Sequence, residues 1–100
     1  MSNYVDFTVN TTAFKNLSGL AKTLHANKQQ IIPIIDAGIS AEDTSNIYYA
    51  IGNNDDIFIK SDLYKSEKYN NNLINQVWPK TAVFVDWFNE KSRNMWFRGL

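Results

Sequence analysis

The run Ile31-Ile32-Pro33-Ile34-Ile35-Asp36 constrains the fold most, because it is the most apolar stretch of the chain and it closes on a carboxylate. It is short, β-branched and apolar at both odd and even positions. Side chains of a strand alternate between its two faces, so this one would present apolar side chains on both. Such a segment is stable where both faces are covered, as in a parallel sheet flanked by helices. Gln30 to Asp36 is therefore predicted to be a buried strand. Pro33 opposes a central position, because proline has no N–H to donate to a ladder.

Alternation places Ile32, Ile34 and Asp36 on one face, and Ile31, Pro33 and Ile35 on the other. In a barrel of alternating strands and helices the first set would face the interior. Functional residues of such barrels gather at the carboxyl ends of strands, where Asp36 stands. Two roles are open to it: a place in or beside a site, or a carboxylate that accepts backbone or arginine hydrogen bonds to fix a loop.

The neighbouring segments supply helices. Phe14, Leu17, Leu20, Ala21 and Leu24 recur at three- and four-residue steps, which predicts an amphipathic helix from about Ala13 to Ala26. Thr11 or Thr12 is its expected cap, and Asn27 the expected left-handed residue at its end. Tyr4 to Asn10 reads as a short extended piece. Ile47 to Ile51 reads as a helical turn that stops at Gly52. Asp56 to Lys60 alternates like a strand, and Ile74 to Trp78 reads as its hairpin partner, ended by Pro79. The apolar run Thr81 to Trp87 encloses Asp86. Asn89 is placed to cap a last helix from Glu90 to about Arg98.

Helices alternating with buried strands imply α/β architecture. The predicted buried strand has no parallel neighbour within the sequence, and the chain stops just after a helix, where a further strand would be due. The expectation is a part of a barrel or sheet, with a hairpin inserted.

Bulk properties exclude several classes. One hundred residues suffice for one small domain. Ten basic residues balance ten acidic ones, so no footprint for nucleic acid is present. No apolar run approaches the roughly 20 residues that span a membrane. The N-terminus lacks the basic flank and apolar core of a signal peptide. There is no cysteine, hence no disulfide and no thiolate metal site. Thirteen asparagines, clustered around residues 53–54 and 70–75, favour polar loops and caps.

Catalytic machinery is sparse. His25 is the only histidine and falls on the flank of the first helix, as a surface or boundary residue. No nucleophile elbow, phosphate loop or metal-ligand pair occurs. Glu42-Asp43 and Asp55-Asp56 read as solvated loop acids. Trp78, followed by proline at a strand end, is a candidate site wall, since indole faces stack on sugars; core packing is the alternative. Trp87, Phe88, Trp96 and Phe97 read as core or buried interface.

Four segments, in order, resemble glycoside hydrolase family 31, the α-glucosidase type. "YVDFTVN" is similar to the family's "DFT" segment after the second barrel strand. "LAKTLHANKQQIIPIIDAGIS" resembles a leucine-histidine helix end followed by an apolar strand and "D-x-x-IS". "YYAIGNNDDIFIK" resembles a tyrosine, a glycine and "D-V-F-I-K", and "QVWPKTAVFVDWFNEKSRNMW" resembles "VWPGxTAFPDFTNPxxxxWW". The departures are Lys28 and Lys80, where the family has glycine, Val85 and Glu90, where it has proline, and Pro33 within the strand. With Lys28 in the glycine's place, Asn27 is expected to take over the helix-ending role.

The resemblance implies part of a (β/α)8 TIM barrel, residues 1–100 running from the end of its second strand to the helix before its fourth. It implies a parent that hydrolyses α-linked glucosides with retention, through a nucleophilic carboxylate and an acid/base carboxylate. The nucleophile of the family's "W-x-D-M-N-E" motif, the acid/base and a substrate-binding aspartate all fall outside this chain, so no catalytic residue is expected within it. Trp78 matches a pocket-wall tryptophan, Ile34 an apolar pocket residue, and Asp36 the aspartate beside the pocket. The implied partners are an α-glucoside or oligosaccharide and the rest of the barrel. No cofactor and no metal are implied, and the location would be lysosomal or secreted. Two other readings stay open: a non-catalytic carbohydrate-binding module with Trp78 as platform, and a small α+β interaction protein.

Overall fold

The computed structural model describes residues 2, 4–43, 45–78 and 80–100. Among the described residues three asparagines start three α-helices. In α1 (Leu17–Ala26) the Asn16 side chain accepts the Gly19 N–H at 2.9 Å. In α2 (Ile47–Asn54) Asn46 accepts from Tyr48, and in α3 (Glu90–Gly99) Asn89 accepts from Lys91. Each bond satisfies one of the orphan N–H groups of a first helical turn.

The first helix starts four residues later than its apolar spacing predicts. The Asn10 side chain takes the N–H groups of Thr12 and Ala13 at 3.1 and 3.0 Å and folds them into a separate turn. Neither Thr11 nor Thr12 is the cap. The far end also differs. Lys28 N–H donates to His25 O at 3.0 Å and Gln29 N–H to Leu24 O at 2.8 Å, the paired bonds of a Schellman cap. The left-handed residue of that cap is Lys28 itself, at φ 58°, while Asn27 stays right-handed at φ −87°.

Gly52 does not stop α2; it lies inside it. A Cβ there would stand 2.1 Å from Phe58 Cζ, so the missing side chain is what lets the Phe58 ring lie against the helix.

The strands β1 (Gly38–Ser40), β2 (Ile74–Val77) and β3 (Lys80–Phe84) form one sheet in the order β1-β3-β2, antiparallel throughout. Ile39 lies opposite Val83, and Val77 opposite Lys80. Among the described residues no parallel pair occurs, so the expected parallel barrel strands are not what this structure contains. The hairpin is present with a different partner: Ile74–Val77 pairs with Lys80–Phe84, and Asp56 to Lys60 makes isolated bridges at Phe58↔Val85 and Lys60↔Asn72. Closing a two-residue connection costs less chain entropy than closing one that spans residues 61–73, and it wins. The expectation that Pro79 ends a strand lies outside the described residues.

The buried strand predicted for Gln30 to Asp36 is absent. The stretch is irregular, with Ile32 87 % and Ile34 82 % exposed. Pro33 offers no N–H, and among the described residues no strand of the sheet pairs with this stretch. An unpaired strand does not hold its form alone.

The core gathers Ile39, Ile57, Phe58, Val83, Val85 and Met95, and Phe7, Tyr48 and Trp96 pack against it. Ser92, fully buried on α3, donates its hydroxyl to Ile57 O at 3.1 Å. Trp96 meets Phe7 and Trp87 edge-on, each at 4.9 Å. Phe88 and Phe97, expected in a core or interface, point to solvent. The molecule is elongated, 50 × 27 × 19 Å, with a radius of gyration of 15.5 Å. About 13 Å is usual for a compact domain of this length.

Candidate functional site

The site is assembled on a tight turn formed by residues 4–8. Tyr4 and Phe7 both adopt φ 59°, a left-handed conformation rare for aromatic residues. The Thr8 hydroxyl holds the turn by accepting the Ser2 N–H at 2.7 Å and donating to the Val5 carbonyl. Phe7 anchors it by packing on Tyr48 and Trp96.

The turn reaches two of the three residues singled out by sequence. Asp6 Oδ1 accepts the Asp36 N–H at 2.9 Å, thirty residues away in the chain. Asp36, half-buried, uses its own Oδ1 to accept the N–H of Ala37 at 2.7 Å and of Gly38 at 3.5 Å. Both roles seen here are structural: one carboxylate fixes the approach to β1, and a second fixes the first. On the other side of the turn, the Tyr4 ring lies 6.3 Å from the Trp78 ring, tilted by 55°. Both rings are open to solvent, Tyr4 at 53 % and Trp78 at 79 %. The core-packing alternative for Trp78 does not hold in this structure.

Gly38 brings the two halves together. A Cβ there would stand 3.0 Å from Val77 Cγ2 and 3.1 Å from Ala82 Cβ, so glycine lets the end of β2, which leads into Trp78, come close to the residues after Asp36 without displacing those side chains. Ile34, the third candidate, is not gathered in; it projects into solvent two residues before Asp36.

Asp6 is 2 % exposed, and its Oδ2 is buried with no hydrogen-bond partner among the described residues. Burial raises its pKa above the ordinary 3.8; the Asp36 N–H bond works against this and the nearby Asp36 charge adds to it. Asp6 and Tyr4 were missed in the sequence because "YVDFTVN" reads as a plain extended piece. The available signal was the one that drew attention to Asp36, a carboxylate set between apolar neighbours.

Other features stand apart. A cleft of about 200 Å³ lies between the first turn and the start of α2, lined by Val5, Thr8, Asp43, Asn46 and Tyr48, and does not include Trp78 or Asp36. His25 is an exposed residue of α1. Among the described residues no cluster of three or more histidine or acidic side chains is placed to hold a metal ion, and no helix is long and apolar enough to cross a membrane.

The family model described as "Glycosyl hydrolases family 31 TIM-barrel domain" matches residues 1–100. The chain belongs to glycoside hydrolase family 31. Curated relatives agree. Alpha-glucosidase 2 of Bacillus thermoamyloliquefaciens is 32 % identical over 96 residues, covering 96 % of this chain and 11 % of the relative. Intestinal sucrase-isomaltase of Suncus murinus is 32 % identical over 100 residues, covering 96 % and 5 %. Lysosomal alpha-glucosidase of Mus musculus is 28 % identical over 93 residues, covering 91 % and 9 %. The chain thus spans about a tenth or less of the relatives it matches. The family 31 match runs through all three helices and the sheet, and equally through the exposed stretch 30–36.

Proposed function

We propose that this chain is a segment of a retaining α-glucosidase barrel. In this reading it runs from the end of the second strand to the helix before the fourth, and it supplies part of the wall of a sugar pocket. The observation that carries the reading is the family match over residues 1–100, combined with coverage of about a tenth of each relative. The exposure of Ile32 and Ile34 supports it, since a strand built to be covered on both faces is uncovered where its neighbours are missing.

In the proposed parent, an α-linked glucoside is cleaved by two carboxylates. One attacks the anomeric carbon; the other protonates the leaving oxygen and then activates water, the pair standing about 5–5.5 Å apart. Both lie outside this chain. Trp78 offers a ring face to the sugar, Ile34 an apolar contact once its stretch is ordered, and Asp36 a carboxylate that holds the loop between them. The rest of the barrel is the partner that would order residues 30–36.

Extending the reading frame on both sides tests this directly. The expected result is an in-frame W-x-D-M-N-E motif downstream. A stop codon close behind Leu100, with no such motif, overturns the segment reading. The pure 100-residue chain should show no turnover of a chromogenic α-glucoside, and measurable turnover would place catalytic groups inside it.

A further inference from the structure

We infer that Tyr4 is a second sugar-contacting residue, forming with Trp78 an aromatic corner that takes the C–H face of an α-linked hexopyranoside. The inference rests on the α-glucosidase reading and adds a residue that sequence did not single out.

Three observations meet at this point. Tyr4 and Trp78 are exposed aromatics from distant parts of the chain, yet their rings lie 6.3 Å apart. Their 55° tilt leaves an open angle rather than a closed stack, so both ring faces stay available to a third group. Tyr4 also holds a left-handed backbone at φ 59°, a conformation that costs an ordinary side chain roughly 1–2 kcal/mol and that asparagine or glycine adopts at lower cost. The Thr8 hydrogen bonds and the packing of Phe7 hold the turn, but neither calls for an aromatic at the half-exposed position of Tyr4; a ligand would.

The chemistry of the corner selects the ligand class. Aromatic faces attract the weakly polarised C–H groups of a pyranose ring, while the phenol and indole N–H offer polar edges to its hydroxyls. Around the corner, Asp6 lies on the same turn as Tyr4 and binds Asp36, and the exposed Lys80 follows two residues after Trp78, so charge of neither sign dominates. A balanced surrounding of this kind suits a neutral polyol.

NMR of the 100-residue chain titrated with maltose tests this. Ring resonances of Tyr4 and Trp78 should both shift saturably. Tyr4→Asn keeps the left-handed backbone and removes the ring; it should weaken binding about 3- to 10-fold with the amide spectrum otherwise unchanged. Tyr4→Phe should retain most of the affinity, and Trp78→Ala should abolish it. Unchanged affinity in Tyr4→Asn, with loss in Trp78→Ala, overturns the role of Tyr4 and leaves the α-glucosidase reading standing. No saturable shift at either ring overturns the aromatic corner altogether, while the flanking reading frame still decides the hydrolase reading independently.

Discussion

Residues 38–99 and residues 9–37 carry similar apolar content and meet opposite fates. In the first region the sheet and α2 and α3 bring most of their apolar runs together, although Phe88 and Phe97 stay in solvent. β2 and β3 pair across a two-residue connection, β1 closes the other edge of β3, and α2 and α3 bring Gly52 and Met95 onto the core. Ile39, Ile57 and Val83 are left with no exposed surface. In the second region α1 buries none of its residues, and Ile32 and Ile34 beyond it face water. Apolar pattern states what a segment needs; burial follows only where a covering surface exists within the chain.

Truncation separates the two regions most. Ile57→Ala should cost about 2–5 kcal/mol, a large share of what holds a small domain together. Ile34→Ala should stay within about 0.5 kcal/mol, because its side chain is already hydrated. Urea denaturation followed by tryptophan fluorescence measures both. Equal losses would mean that residues 30–36 are buried in solution and that the two regions do not differ.

The same contrast explains how much could be read in advance. Helices were legible because their causes are local: apolar spacing announces α1, although its cap is Asn16 rather than the threonines expected, an asparagine cap announces α3, and Ile47 to Ile51 marks the start of α2. Strand partners were not, because pairing is settled by loop closure and by which edges are available. Thus Asp56 to Lys60 looked like half of a hairpin, yet it bridges to Val85 and Asn72. In the site, Asp36 and Trp78 stood out by chemistry and position. Asp6 and Tyr4 did not, since nothing in "YVDFTVN" signals two aromatics with positive φ; that turn depends on Thr8 and on the packing of Phe7 against α2 and α3.

Asp6 is the opposite case, a carboxylate drawn into the covered part of the molecule. Burial raises its pKa, so the folded chain holds the Asp6 proton more tightly than the unfolded chain does. The stability this confers is complete below the ordinary value of 3.8 and is lost as pH rises through the raised folded value. Asp6→Asn keeps an oxygen for the Asp36 N–H and removes the titration. The stakes are those of one unpaired buried polar atom, about 1–3 kcal/mol. Denaturation midpoints measured from pH 3 to 7 (a range of about four units around the window) should fall with pH for the parent chain, relative to Asp6→Asn. Parallel pH profiles would show that Asp6 is solvated rather than buried.

The smallest effects concern backbone rather than burial. Lys28 and Lys80 stand where the resembled family has glycine, and both hold positive φ, 58° and 72°. One closes the Schellman cap of α1 in the exposed region; the other opens β3 beside Val77 in the covered one. A left-handed lysine costs roughly 1–2 kcal/mol, and glycine returns roughly 0.5–1 kcal/mol of that through its greater freedom in the unfolded chain. Lys28→Gly and Lys80→Gly should therefore each stabilise by about 0.5–1 kcal/mol, the net of these two terms. Asn27→Gly, at a right-handed position, should destabilise instead. Only Lys80→Gly should move the global unfolding midpoint. Lys28→Gly should show itself as slower amide exchange at the end of α1, because that helix opens without disturbing the core. A gain in global stability from Lys28→Gly would mean that α1 unfolds together with the sheet, and the division between the two regions would be lost.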